Sequence, residues 1–188
     1  TGTATVTGTL NGNAIADNAT VSVGVGAASV ATSTITTNVG SITTDGAAIV
    51  TVQLRDANGN NLTAGAGTVA LSTTLGALSA VTNNGNGTYT ATFTSAALGT
   101  ATITGTLNGT PIADDASVTV SVGAASLATS LITAAPSAIT TDGTSTVTVQ
   151  LRDAAGNNLT AGAGTVTLAT TLGALGGVTN NALSLIHI

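Results

Sequence analysis

Polar and apolar positions alternate one for one through most of the chain. The opening TGTATVTGTL sets Thr1, Thr3, Thr5, Thr7 and Thr9 against Gly2, Ala4, Val6, Gly8 and Leu10. This is the period of an extended strand whose side chains point in turn to opposite faces. Val50, Val52 and Leu54 interleave with Thr51, Gln53 and Arg55, and Tyr89, Ala91 and Phe93 with Thr90, Thr92 and Thr94. Ala101, Ile103 and Leu107 take the same relation to Thr100, Thr102, Thr104 and Thr106, as do Val118, Val120 and Val122 to Ser117, Thr119 and Ser121. Val69 and Leu71 open a further strand. Between these runs stand turn signals: Asp45-Gly46, the run Asp56 to Asn61, the cluster Asn83 to Gly87, and Asn108-Gly109. The last suits a two-residue type I′ hairpin, and Pro111 directly behind it suits an edge position. No segment carries a helical period, so the pattern predicts an all-β chain of antiparallel strands in a β-sandwich.

The pattern repeats. VTVQLRDANGNNLTAGAGTV from Val50 recurs as VTVQLRDAAGNNLTAGAGTV from Val147, and TGTLNG from Thr7 recurs from Thr104, both displaced by 97 residues. The register holds without a gap from Gly2/Gly99 to Asn84/Asn181, with about three-quarters of positions identical, as in one supersecondary unit copied in tandem. The phase of the repeat predicts three pieces: 1–25 as the closing strands of one copy, 26–122 as a complete copy, and 123–188 as the front of a third. It also leads us to expect a fragment of a longer array. After Asn181 correspondence stops: the counterpart of Tyr89 is Ile186, and residues 182–188, with the only histidine, His187, do not match the repeat. The hairpin 1–25 carries strands that the piece from Gly123 lacks, so head-to-tail strand addition between copies is a further expectation. A unit of this length also disposes of one reading of the threonine ladder. A flat water-ordering array needs rungs stacked about 4.8 Å apart in a short-period solenoid, whereas the sheets of a sandwich twist and throw neighbouring hydroxyls out of plane.

Composition narrows the function. The 188 residues include two basic side chains, Arg55 and Arg152, against seven acidic ones, all aspartate. With a pI near 4.1, nucleic acid and anionic membrane surfaces are not attracted as partners. Mean hydropathy is +0.50, yet no apolar run approaches the roughly 18 residues of a membrane-spanning helix. Cysteine is absent, so no disulfide framework is available and stability must come from burial.

TTDGTSTVTVQLRDAAGNNLTAGAG, NNGNGTYTATFTSAALGTATITGTLNG and the closing ASVTVSV resemble, in that order, the group 1 bacterial Ig-like domain found in tandem in invasin- and intimin-type adhesins. The resemblance covers the whole repeat. It implies tandem immunoglobulin-like sandwiches forming an extracellular stalk, anchored at one end in the outer membrane and bearing a receptor-binding tip at the other. Neither an anchor-like segment nor a lectin-like tip is present here, so no receptor-binding residue carries over. Gly87-Thr88-Tyr89 is similar to the tyrosine corner of such sandwiches, in which the phenol bonds backbone near a sheet-to-sheet crossing.

Chemistry is sparse. With no Cys, Lys or Glu and one histidine outside the repeat, no triad or dyad can be assembled within the repeat, and we expect no enzyme, catalytic residue or cofactor. Asp56-Ala57-Asn58-Gly59-Asn60 begins a D-x-[DN]-x-[DN] calcium loop but fails where Asn61 replaces Gly and Gly67 the bidentate Glu. Asp114-Asp115 is the other cation candidate, near the end of a unit. Neither is assigned as a metal site. Gly65-Ala66-Gly67 and Gly24-Val25-Gly26 read as bends, Asn86-Gly87-Thr88 as a turn rather than a sequon, and Arg55-Asp56 and Arg152-Asp153 as exposed strand-end charges opposing edge pairing. The expected function is a non-enzymatic spacer of a cell-surface adhesin, its units held by their neighbours and limited in bending by the connector Gly123 to Ser126. The alternatives are a module binding host glycan or protein through Thr/Asn loops, and a calcium-stiffened extender.

Overall fold

The computed structural model describes residues 1–161, 164–180 and 185–187. Strands β1 (Gly2–Val6), β2 (Thr9–Leu10), β3 (Asn13–Ala14) and β4 (Ala19–Val23) make two antiparallel ribbons, β1 with β4 and β2 with β3. All four strands are exposed along their length. The central region follows as β5 (Thr34–Thr37), β6 (Ser41–Thr43), β7 (Ala48–Gln53), β8 (Val69–Thr73), β9 (Ala77–Leu78), β10 (Thr82–Asn83), β11 (Thr88–Thr94), β12 (Gly99–Leu107), β13 (Thr110–Pro111) and β14 (Ala116–Ser121). They form two sheets, β10-β11-β7-β5 with β9 on β11, and β13-β12-β14-β6 with β8 on β12. The faces follow the alternation: Val50, Val52, Phe93, Ala101, Ile103 and Val118 are buried in one core with Tyr89 and Ile35, while the interleaved threonines stay wholly or partly solvent-facing.

Asn108 and Gly109 have φ of 50° and 82° and join Leu107 to Thr110, the two-residue type I′ turn expected of Asn-Gly. Pro111 sits on the edge strand β13. One pairing departs from the antiparallel expectation: β6 runs parallel to β14, with Ser41 opposite Thr119. The first strand of the unit is split. It pairs with β7 as β5, crosses at Asn38–Gly40, and continues as β6 on the other sheet. Asn38 anchors the crossing, its Oδ1 accepting Ile49 N–H at 2.6 Å and its N–H donating to Ile49 O at 3.0 Å.

Beyond Gly123 come β15 (Leu131–Ala135), β16 (Thr146–Gln150), β17 (Thr179–Asn180) and β18 (Leu185–His187), in the sheet order β15-β16-β18-β17. This repeats β5-β7-β11-β10. Of the unmatched segment 182–188, residues 182–184 and 188 lie outside the described residues. The backbone of β18 keeps the repeat register all the same: Ile186 faces Val149 as Tyr89 faces Val52. Backbone groups along β16 need ladder partners whatever side chain the partner carries. Among the described residues no helix is long and apolar enough to cross a membrane.

Candidate functional site

The two Arg-Asp pairs are not the exposed strand ends that their charge suggests. Asp56 is 3% exposed and Asp153 0%, a correction whose cause lies in the loop that follows each. A buried carboxylate is tolerated only when its oxygens receive hydrogen bonds. Asp56 Oδ1 accepts the N–H groups of Asn58 at 3.0 Å and Asn60 at 2.9 Å, and the Asn60 side-chain amide lies 3.1 and 3.0 Å from the two carboxylate oxygens. Its Oδ2 accepts Gly26 N–H at 3.0 Å. The stretch that begins like a calcium loop thus closes around its own aspartate, with N–H donors where a cation would require oxygens. The Asn60 side chain first, then Gly26 N–H, hold the Asp56 carboxyl at about 2.

Asp153 repeats this socket and adds a partner from the preceding sandwich. Its Oδ1 accepts Asn157 N–H at 2.8 Å, its Oδ2 accepts Gly123 N–H at 3.2 Å, and the Asn157 amide reaches both oxygens. The added partner is Thr44, at the end of β6, whose hydroxyl donates to Asp153 Oδ2 at 2.7 Å. Burial alone would raise the Asp153 carboxyl, but the donors from Thr44, Asn157 and Gly123 outweigh it and hold the group far below the usual carboxylate range. Asn157 Nδ2 also donates across the junction to Ala96 O at 3.1 Å. The connector is pinned as well, Ser126 N–H donating to Arg152 O at 2.7 Å.

An apolar contact accompanies the polar one. Val122 continues the alternation of Val118 and Val120, yet it packs against Val149, Leu151 and Leu159 of the following unit. Val25, its equivalent one repeat earlier, packs on the central core. The chain has left the β14 ladder by this point, and its last apolar side chain is covered by the next unit.

Tyr89, 2% exposed, occupies a corner of a particular kind. Its hydroxyl donates to Gly67 O at 2.8 Å and accepts Ala66 N–H at 3.2 Å. The Gly65-Ala66-Gly67 bend is therefore the seat of the phenol, at the passage from the β7 sheet into β8. Gly24-Val25-Gly26 supplies the N–H for Asp56. Asn86 Oδ1 accepts both the N–H and the hydroxyl of Thr88, at 3.1 and 2.6 Å, the bonding of a tight turn. Asp114 Oδ2 accepts Ile35 N–H at 2.8 Å and ties the β13–β14 connection to β5, while Asp115 is exposed. Arg55 and Arg152 each donate Nε–H to an asparagine, Asn61 at 3.0 Å and Asn158 at 2.9 Å. Among the described residues no cluster of three or more His, Cys, Asp or Glu is placed to hold a metal.

The sequence reading missed the Asp56 and Asp153 sockets. The usable signal was the pairing of Asp with Asn four residues on, in RDANGNN and RDAAGNN, which lets one amide close on the carboxylate from within the loop.

These features define a tandem immunoglobulin-like all-β chain whose units meet through a buried hydrogen-bonded carboxylate. The family model described as Invasin, domain 3 matches residues 29–123 and again 126–183, and the chain belongs to this family of adhesin-related domains. Among solved structures, it is similar to invasin, described as a bacterial integrin-binding protein, at 27% identity and a TM-score of 0.61 over 99% of this chain and 39% of that one. It is similar to the Escherichia coli adhesin FdeC at 26% identity and a TM-score of 0.60, covering 99% of this chain and 63% of that one. The Yersinia pseudotuberculosis adhesin InvE aligns at 26% identity and a TM-score of 0.54, over 69% of this chain and 36% of that one. The chain thus spans less than two-thirds of each of these relatives. No curated protein sequence matches it.

Proposed function

We propose that the chain is a non-enzymatic stalk segment of a bacterial cell-surface adhesin, anchored through the outer membrane and holding an adhesive tip away from it. The observation that supports this reading is the junction at Asp153, where Thr44, Gly123 and Asn157 converge on one buried carboxylate. A charged acceptor with three donors from two units and the connector resists bending more strongly than neutral hydrogen bonds would. The longest strand of the central unit, β12 with 9 residues, spans roughly 30 Å. Under this reading residues 26–122 are one complete unit, flanked by parts of its neighbours, and the segment supplies distance and direction. Receptor contact, such as the integrin binding in invasin's description, belongs to other parts of the full protein.

The test is a spin-label distance measurement between Thr92→Cys and Thr133→Cys, exposed positions on either side of the junction. A stalk gives one narrow distribution that broadens when Thr44→Val removes the hydroxyl. A distribution as wide as that of a flexible linker, before any substitution, overturns the reading. Saturable binding of the chain to integrin-bearing cells or glycan arrays would favour the binding-module alternative.

A further inference from the structure

Lysine is absent, so the only peptide bonds that follow a basic side chain are Arg55–Asp56 and Arg152–Asp153. A protease that selects a basic side chain has no other place to cut. Such an enzyme takes its substrate as an extended strand and exchanges backbone hydrogen bonds with it. It also holds the scissile carbonyl oxygen with N–H donors and encloses the basic side chain in a pocket. Here every one of those groups is already engaged. Arg55 N–H donates to Ser33 Oγ at 3.0 Å, and Arg55 O, the oxygen a protease has to hold, accepts Ser29 N–H at 2.7 Å. Asp56 N–H donates to Asn60 O at 2.9 Å, and Asp56 O accepts the Thr32 hydroxyl at 2.7 Å and Gly59 N–H at 2.9 Å. The Arg55 side chain is half-buried and donates Nε–H to Asn61. The second copy closes the same groups. Arg152 N–H donates to Ser130 Oγ at 3.0 Å and Arg152 O accepts Ser126 N–H at 2.7 Å. Asp153 N–H donates to Asn157 O at 3.0 Å, and Asp153 O accepts the Thr129 hydroxyl at 2.6 Å.

We propose that Arg55–Asp56, with its copy Arg152–Asp153, is a cryptic cleavage site for arginine-selective serine proteases, shut by the Asp loop and cut only when that loop opens. Ser29 and Ser33 lie before β5 and Asn60 lies after β7, so separate stretches of chain must part before the bond can extend into a protease cleft. Asp56, buried under its own loop, must leave the interior at the same time. Cutting then follows the population of the open loop rather than the intrinsic rate of the enzyme. Once the loop is open, the seryl oxygen of the protease attacks the Arg55 carbonyl carbon. The C–N bond breaks, and Asp56 departs as a free amine with the proton that the protease histidine delivers. One water then releases Arg55 as a carboxylate. The closure does not depend on the stalk role: the folded chain stays whole among such proteases, and damage to an Asp loop turns it into their substrate.

Trypsin is the probe, with each cut located by fragment mass. The folded chain should be cut at Arg55 about a hundredfold more slowly than the same chain unfolded in urea, at matched enzyme activity. Ala80→Arg sets a further arginine on the exposed loop between β9 and β10, and the folded variant should be cut rapidly there while Arg55 stays closed. Asn60→Ala removes the amide that spans both Asp56 oxygens and leaves Arg55 and Asp56 themselves in place. Cutting at Arg55 should quicken about tenfold, as charge-assisted hydrogen bonds that close the loop are lost. Ser33→Ala, which takes the acceptor from Arg55 N–H, should act the same way and serves in its place if Asn60→Ala does not fold. Equal rates at Arg55 and at the introduced arginine overturn the proposal, as does resistance that persists in the unfolded chain. Resistance at the introduced arginine as well makes the fold at large the barrier and not the Asp loop. A rate at Arg55 that neither Asn60→Ala nor Ser33→Ala moves sinks it too.

Discussion

At the scale of single residues, buried hydrogen-bonded side chains anchor the loops: the carboxylates of Asp56 and Asp153 and the phenol of Tyr89. Asp56 sits at about 2 against an ordinary 3.8 because its folded form accepts hydrogen bonds, from Asn60 first. A carboxylate depressed in this way stabilises the fold above its unfolded value and loses that contribution as pH falls through its folded one. Asp153 is held lower still and shifts the same way. The expected profile of urea midpoint against pH is flat near neutrality and falls from about pH 4 towards pH 2. Asp56→Asn should lose part of that slope, and an unchanged slope would contradict the socket. Tyr89 is the other anchor. Tyr89→Phe keeps the ring in the core but leaves Gly67 O and Ala66 N–H without the phenol. A loss of about 1 to 2 kcal/mol in denaturant unfolding is expected, and coincident midpoints would remove the corner from the account.

At the scale of elements, strand faces were legible because a period of two needs only side-chain polarity, and the buried rows Val50/Val52 and Val118/Val120 follow it. The Asn108-Gly109 turn was legible because its conformation restricts residue type. Two features were not. The parallel seat of β6 depends on Asn38 turning the chain between sheets, which polarity along the strand does not encode. Val122 fits the alternation perfectly and still belongs to the next unit's core, because alternation reports which side chains are buried and not what buries them. The Asp sockets were misread for a related reason: an isolated charge reads as exposed until the donors folded around it are known. The junction makes a sharp element-scale prediction about two equivalent glycines. A Cβ at Gly123 lies 2.6 Å from Thr44 Oγ1 and 3.0 Å from Asp45 Oδ1, while at Gly26 its nearest neighbour is at 3.4 Å. Gly123→Ala should push Thr44 off Asp153, lower the melting temperature by about 2 to 5 °C and broaden the spin-label distribution. Gly26→Ala should leave both near the parent values.

At the scale of the whole molecule, the proposed stalk role raises the question of what would stiffen a chain of sandwiches. Extended surface proteins can do so with cations shared between units, which need several oxygen ligands presented together. The two acidic candidates in the sequence lead elsewhere: Asp56 is enclosed by N–H donors, and Asp114 accepts the backbone of β5. At the junction, Asp153 already receives Thr44, Gly123 and Asn157. A divalent ion entering there would have to displace several charge-assisted hydrogen bonds and turn N–H groups away from itself, at a cost of about 1.5 to 3 kcal/mol for each bond lost. Asp45, whose carboxyl is lowered by the Thr43 hydroxyl first and also by Ala124 N–H, feels Asp153 only as a like charge. A carboxylate already bonded by Thr43 and Ala124, beside a saturated one, makes a poor calcium site. A ligand that binds the folded state raises the melting temperature with its concentration, which makes the prediction direct. Millimolar calcium, and then excess chelator, should leave both the melting temperature and the spin-label distance width within error of the metal-free chain. A melting temperature that climbs with calcium and returns with chelator would transfer the stiffening from the hydrogen-bonded carboxylate to an ion.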